Sequence, residues 1–426
     1  MPLKQHSRTY DVVILGATGY TGRLTAEQLA ASPAVDLKWA LAGRSEAKLQ
    51  AIAEECSRAN PHMSKPKLET VDTNDEAQIE ALARKAFVVI TTVGPYCKYG
   101  EAVFRACARS GTHYLDCTGE MPWVARMTAR YEAVARDSGA VVVPANGLEA
   151  AAADLITWAM ARFLRAKLDA PTGDVVLSLH PSNQAGSLTP SGGTLATVLG
   201  IFDHFSLREM RAALEPYAQS PVPHPGRARQ ASSLAQRLLG VRHVPELGVQ
   251  TTSLMASADV PVVERTWGLL SQIPGRGDQF YGPRFTFAEH YKPRNWLHGV
   301  AVHWALLLAS LALGLVPPLR RLARRLVTQP GDGQGRDEMA KAEVEYRATA
   351  APDTAAPSGK LAFCRARYRG SAYQLTALFL VQAAMTLLQD DVGLPGGVYT
   401  PACLGQAYLD RVNDAGFKID VKLLQT

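Results

Sequence analysis

Seven residues near the N-terminus, Gly16-Ala17-Thr18-Gly19-Tyr20-Thr21-Gly22, have the types and spacing to hold a diphosphate. Glycine is needed where a chain turns tightly and where a pyrophosphate must approach backbone N–H groups. A helix opening at the same point adds unpaired amides and the positive end of its dipole. Any tight turn favours glycine, so the turn alone says little. A strand before it and a helix after it make the nucleotide reading specific. The apolar run Asp11 to Leu15 supplies that strand, and Thr21 to Ala31 that helix.

The type of dinucleotide follows from Lys38-Trp39-Ala40-Leu41-Ala42 and the residues after it, Gly43-Arg44-Ser45. A site for NAD places Asp or Glu at the end of the second strand, where it accepts from the ribose 2′-OH. This strand end has no acid. Arg44 offers a planar fork of donors to a 2′-phosphate, and Ser45 adds a hydrogen bond, so the pattern favours NADP(H). The blander alternative is a solvated arginine at a strand end. Asp72, after the third strand, either contacts the adenine side or caps a helix. Thr92-Val93-Gly94-Pro95-Tyr96 ends the fourth strand. Val93, Gly94 and Pro95 are therefore expected beside the nicotinamide ribose, at the carboxyl edge where open sheets bind ligands.

With hydride supplied by a cofactor, the protein must orient the acceptor and provide a proton. Polar residues expected near the ends of strands four and five are Tyr96, Lys98, Tyr99, Asp116, Thr118 and Glu120. Tyr96 and Tyr99 are the candidate proton sources, with Lys98 close enough to lower a phenol pKa. Packing against the cofactor or the second domain is the competing role for each tyrosine. Glu120 is expected to cap the helix opening at Met121-Pro122-Trp123. The chain has no Tyr-x-x-x-Lys, H-E-x-x-H, G-x-S-x-G or Walker A pattern, which removes support for the chemistries those motifs carry. None of the six cysteines forms a CxxC pair, no His/Cys cluster has zinc spacing, and no metal site is expected.

These residues need a frame. Strands expected at Asp11–Leu15, Leu37–Leu41, Leu68–Val71, Phe87–Val93, Tyr114–Asp116 and Val141–Val143 alternate with helices at Thr21–Ala31, Ser45 to Arg58, Ala77–Arg84 and Glu101–Arg109. That alternation predicts an α/β doubly wound parallel sheet of Rossmann type. Beyond Gly147 the order is less regular. A helix is expected at Glu149–Arg165 and strands at Asp174–His180, Phe280–Tyr291, Ala342–Ala348 and Lys360–Arg369. Gly186–Gly193 is rich in small residues, and Gly193-Thr194 opens an apolar helix. Pro216–Val249 reads as a long proline-rich and basic loop. The prediction is an inserted α+β second domain over 148–394, between a dinucleotide domain at 1–147 and a C-terminal segment, 395–426, that returns to it.

The chain's 426 residues, 47% hydrophobic and 20% charged, suit a folded two-domain protein. A net charge of +6 is too modest to argue for nucleic acid. Few cysteines and a polar N-terminus without a secretory apolar run point to a reducing, cytoplasmic setting. Val300–Val316 stands apart. It is nearly all apolar, begins near Trp296 and Trp304, and is followed by Arg320, Arg321, Arg324 and Arg325. A helix of about 17 residues covers about 26 Å, short of the roughly 30 Å hydrocarbon core. Peripheral contact with a membrane or lipid droplet, a spanning helix, and a buried or dimer-interface helix all fit this pattern.

Several of these stretches resemble the saccharopine dehydrogenase-like oxidoreductases: Gly16 to Gly22, Ala42-Gly43-Arg44, Gly94-Pro95-Tyr96 with Tyr99-Gly100, and Gly111 to Asp116 with Gly119-Glu120. Ser191-Gly192-Gly193-Thr194 and Gly397-Val398-Tyr399-Thr400-Pro401 extend the likeness over nearly the whole chain. The closest branch holds trans-acting enoyl reductases of lipid and polyketide assembly and a lipid-droplet-associated relative. The resemblance implies NADP-dependent reduction, with hydride delivered to the β-carbon of an α,β-unsaturated thioester and a proton to the α-carbon. It implies a lipid-like or polyketide substrate, held on a carrier in the reductase branch. Imine or ketone reduction, and a non-catalytic lipid-associated relative, are the alternatives it leaves open. Saccharopine fits poorly, because the second domain lacks the dense arginines that several carboxylates would need. A homodimer is the default assembly.

Overall fold

The computed structural model describes residues 2–32, 36–180, 192–226, 233–326, 333–356 and 358–425. The chain builds two seven-stranded sheets. The first contains β1 (Tyr10–Leu15), β2 (Trp39–Gly43), β3 (Lys67–Thr70), β4 (Ala86–Thr91), β5 (His113–Asp116), β6 (Val141–Val143) and β13 (Gly397–Val398), in the order β13-β6-β5-β4-β1-β2-β3. Every pairing is parallel. Strands such as Val12-Val13-Ile14-Leu15 are apolar on both faces because helices cover both. Val12 and Ile14 pack with α1 (Tyr20–Ala30), α2 (Glu46–Ala59) and a late helix, α14 (Ala372–Gln389). Val13 and Leu15 pack with α3 (Glu76–Lys85), α4 (Tyr96–Ser110) and α5 (Met121–Ser138). Leu15 is in register with Ala42 and with Thr91, and Thr91 with Asp116. The chain therefore leaves β1, β2, β4 and β5 along one edge, and the strand order reverses between β1 and β4. Ligands bind at such a switch point in open α/β sheets.

The second sheet is mixed. It comprises β7 (Thr172–His180), β8 (Val241–Val244), β9 (Gly248–Thr252), β10 (Thr286–Tyr291), β11 (Glu343–Pro352), β12 (Lys360–Arg369) and β14 (Lys418–Gln425), in the order β14-β12-β11-β7-β10-β9-β8. Only β7–β10 is parallel; the other pairings are antiparallel. Val175, Leu177 and Leu179 on β7 pack against α6 (Leu148–Leu168) and α10 (Ala256–Leu270), in a core continuous with the first sheet. The remaining helices are α7 (Gly192–His204), α8 (Leu207–Ala213), α9 (Leu234–Leu239), α11 (Trp296–Leu315), α12 (Pro317–Leu326), α13 (Arg336–Lys341) and α15 (Gln406–Asp414).

Three expectations change. The return to the first domain starts with α14, which packs on α1, well before residue 395. After β13 joins β6, the C-terminus crosses again, so that β14 forms an edge of the second sheet. Pro216–Val249 is not a plain loop: it holds α9 and the β8–β9 hairpin. Gly186–Ser191 lies outside the described residues, and α7 opens at Gly192.

Candidate active site

The glycine-rich corner is shaped by clashes that side chains would cause. Gly16 has φ +87°, and a methyl group there would fall 2.8 Å from Val93 Cγ2. At Gly22 it would fall 2.2 Å from the Gly16 carbonyl oxygen. These two positions let β1, α1 and the β4 end close together. The amides of Gly16 and Ala17 donate to Ala42 O at 2.9 and 3.3 Å, and that of Gly19 to Gly16 O at 2.9 Å. Helix α1 then opens with no side-chain cap and no acid in its first turn. The amides of Tyr20, Thr21 and Gly22 have no intrahelical partner by helix geometry, so they suit an anion. A cradle that a Cβ would fill and an uncapped helix end fit a diphosphate. Thr18 and Thr21 are half-buried at this corner, whereas the Ala17 side chain is in the core. The Tyr20 side chain leaves the corner. Its hydroxyl donates to Gln334 O at 3.1 Å, and its ring meets Tyr373 edge-on. Tyr20 therefore offers the site its backbone only.

Arg44 is exposed two residues past Ala42, and Ser45 is the N-cap residue of α2. Among the described residues Arg44 makes no hydrogen bond or ion pair, which leaves its donors available to a phosphate. Asp72 lies within reach of its charge. The Asn74 backbone amide, first, and then Arg44 among other groups hold the Asp72 carboxyl below its ordinary range. Asp72 accepts from Asn74 N and Nδ2 at 3.0 and 2.9 Å, which shapes the turn before α3, whose cap is Asp75. This turn-forming role is the one that the hydrogen bonds support.

Val93, Gly94 and Pro95 follow β4 on the same edge, and Thr197 of α7 closes over Gly94. Helix α4 starts at Tyr96, five residues earlier than expected, so both candidate tyrosines stand on its first turn. Tyr96 does not face a cleft. Its ring is 4% exposed, its hydroxyl donates to Thr91 O at 3.0 Å, and burial drives its pKa well above the usual range. A buried phenol already donating to a strand carbonyl is not a proton source, so Tyr96 is a packing residue. Tyr99 is half-buried, with Lys98 Nζ 4.8 Å from its ring centroid. Glu120 caps α4, not its own helix: Tyr96 N and Cys97 N donate to its two carboxylate oxygens at 2.7 and 2.8 Å. Asp116 accepts from Tyr114 Oη, Thr118 N and Ala145 N, and burial raises its pKa to about 6. Thr118 accepts from Glu120 N. These polar residues of the β5 corner hold the loop together.

A group that sequence reasoning missed lies behind that loop. Glu149, at the start of α6, reaches Gly119, where a methyl group would fall 2.3 Å from Glu149 Oε2. Asp259 of α10 and Glu289 of β10 face it. Ser253 Oγ donates to Glu289 at 2.8 Å, and Ala150 N donates to Asp259 at 2.5 Å. Burial raises the pKa of all three carboxyls, and neighbouring Glu289 raises Glu149 further. Among the described residues Asp259 Oδ2 and Glu289 Oε2 have no donor, and the two groups hydrogen-bond each other only if they share a proton. Ala150 has φ +87°, a backbone conformation that costs a non-glycine residue about 1–3 kcal/mol. The three acids are 110 and 30 positions apart along the chain, so no local spacing announces them. Among the described residues, no group of His, Cys, Asp and Glu side chains is placed to hold a metal ion.

A doubly wound sheet with an anion cradle at its switch point, packed against a mixed second sheet, defines a dinucleotide-binding protein. The saccharopine dehydrogenase NADP binding domain model matches residues 12–143. A Mycobacterium tuberculosis protein named "Putative trans-acting enoyl reductase" is 32% identical over 98% of this chain and 98% of its own. The trans-acting enoyl reductase of Mycobacterium bovis is 29% identical over 96% and 97%. The apo saccharopine dehydrogenase (L-Glu forming) of Saccharomyces cerevisiae shares the fold, with a TM-score of 0.55 at 13% identity over 97% of this chain and 99% of that one. The chain belongs to the saccharopine dehydrogenase-like oxidoreductases, in the group of the proteins named trans-acting enoyl reductases, and its cofactor is NADP(H).

Proposed function

We propose that this oxidoreductase reduces an activated C=C bond in a lipid or polyketide acyl thioester. The observation that carries the reading is the full-length likeness to proteins named trans-acting enoyl reductases. In this reading the Gly16–Gly22 corner holds the diphosphate and Arg44 the 2′-phosphate. NADPH held there would supply the hydride that the β-carbon takes up, leaving NADP⁺. Glu149, whose carboxyl is pushed above the ordinary range by desolvation and then by Glu289, supplies the proton that the α-carbon takes up. Asp259 and Glu289 keep a further proton behind it. Tyr99, the remaining tyrosine of the α4 first turn, is the rival donor.

The test is NADPH oxidation with a panel of enoyl thioesters, imines and ketones. Turnover of enoyl thioesters alone is expected. Glu149→Gln should lower kcat by about 10²–10⁴-fold while NADPH still binds. A general acid works only while protonated, so kcat should fall as pH rises through the raised Glu149 pKa, and that limb should vanish in Glu149→Gln. A loss confined to Tyr99→Phe would transfer the role to Tyr99. Turnover of imines or ketones without enoyl thioesters would overturn the substrate assignment.

A further inference from the structure

Helix α11 is long, apolar and almost wholly exposed. It has 20 residues and no Asp, Glu, Lys or Arg, and 6% of its most apolar stretch is buried. Helix α14 passes the same test of length and composition with 78% buried, as a core helix should. In α11 only Gly299 is buried, against Val241 and Pro293. Leu297, Trp304, Leu308, Leu311 and Leu315 are 72, 40, 57, 48 and 64% exposed. Their spacing of 7, 4, 3 and 4 puts them along one stripe. Leu319 and Leu322 carry the stripe into α12, at 42 and 53% exposed. An outward apolar stripe of this extent marks an interaction surface.

Charge identifies the partner. Lys292, Arg294, Arg320, Arg321, Arg324 and Arg325 fall between Lys292 and Gly331, a stretch with no Asp or Glu. Arg294 and Arg321 are exposed. Arg320 is tied by a 3.3 Å ion pair to Asp203 of α7. The opposite side of α11 is fastened to the second sheet, where Thr252 Oγ1 and His303 Nδ1 are 2.8 Å apart. A helix held to the sheet at its middle lies along a membrane instead of crossing it.

We infer that α11 and α12 form a docking surface for an anionic lipid bilayer, with the leucine stripe inserted at the acyl boundary and Arg294 and Arg321 on the headgroups. The docking stands independently of the substrate. It also puts α7, which contacts α12 and covers Gly94, between the membrane and the cleft.

The test is flotation of the full chain with phosphatidylglycerol–phosphatidylcholine vesicles and with pure phosphatidylcholine vesicles. Binding to the anionic vesicles should be at least about tenfold stronger, and should weaken about fivefold on removing one arginine with Arg321→Gln. Leu308→Ser with Leu311→Ser should release the protein from vesicles with NADPH affinity unchanged, which shows that it is folded. Brominated acyl chains should quench tryptophan fluorescence in wild type and less in Trp304→Phe. Absence from the floated fraction, equal binding to neutral vesicles, or vesicle-independent dimers that the leucine substitutions dissociate would each overturn the proposal.

Discussion

Replacing Arg44 with alanine separates the two phosphate contacts of the cofactor site. The diphosphate corner depends on backbone amides and on Gly16 and Gly22, none of which Arg44 touches. Its side chain is exposed and unpaired among the described residues, so the variant should unfold within a degree or two of wild type. A hydrogen bond to a charged group contributes about 1.5–3 kcal/mol. Exposure and salt screen the 2′-phosphate contact, which puts the bidentate pair near ~2 kcal/mol, or a loss of about 30-fold in NADPH affinity. NADH lacks the phosphate and should bind Arg44→Ala within about twofold of wild type. Titrating tryptophan quenching with each nucleotide measures both constants. Raising salt should narrow the wild-type preference toward that of the variant. Equal losses for NADPH and NADH, or no loss for either, would refute the assignment of Arg44 to the 2′-phosphate.

Three further substitutions probe the frame. In Gly22→Ala the new methyl group meets the Gly16 carbonyl oxygen and carbon at 2.2 and 2.8 Å, both backbone atoms, so α1 must move. We expect about 1–3 kcal/mol of destabilisation and loss of the NADPH-induced rise in Tm. Gly19→Ala, with its nearest contact at 3.3 Å, should be milder, and equal effects would reject the steric account. Asp154 joins α6 to α10 and the β13 end, accepting from Thr266 Oγ1 at 2.6 Å and Ala402 N at 2.8 Å, and burial raises its pKa to about 7. Between its ordinary value and about 7 the folded protein keeps a proton that the unfolded chain has lost. This group therefore makes stability fall as pH rises through that window, by up to about 1.4 kcal/mol per unit. Denaturant unfolding from pH 4.5 to 7 should show a shallower decline in Asp154→Asn; an unchanged slope would place the proton elsewhere.

The first sheet was legible in inner strands such as β1, β2 and β4, which are short, apolar on both faces and closed by a turn signal. Asp11–Leu15 and Gly16–Gly22 needed no partner to be recognised. The start of α4 was missed by giving Glu101 the first turn; Pro95 ahead of Tyr96 was the available sign. Helix α14 was missed because it is apolar all round and shows no 3.6-residue stripe. Its one local sign was the Ser371–Gln374 capping box. The β8–β9 hairpin was hidden by the prolines and arginines around it. Tyr96 looked like a donor because position along the chain placed it at the strand end, while the direction of its side chain depends on a helix boundary. The acid cluster was invisible for a different reason: Glu149, Asp259 and Glu289 are brought together only when α10 and β10 pack against the start of α6.

That packing changes what the second domain is for. Glu149 hangs from the β6–α6 junction, and its proton affinity is raised by desolvation and then by Glu289 of the second sheet. The same contact steadies the junction, since Asp259 accepts the amide of Ala150 at its left-handed turn. Removing that acceptor would leave both an unpaired amide and a conformation that alanine disfavours. The second domain therefore does more than pack on the first: through Asp259 it holds the backbone of the turn that carries Glu149.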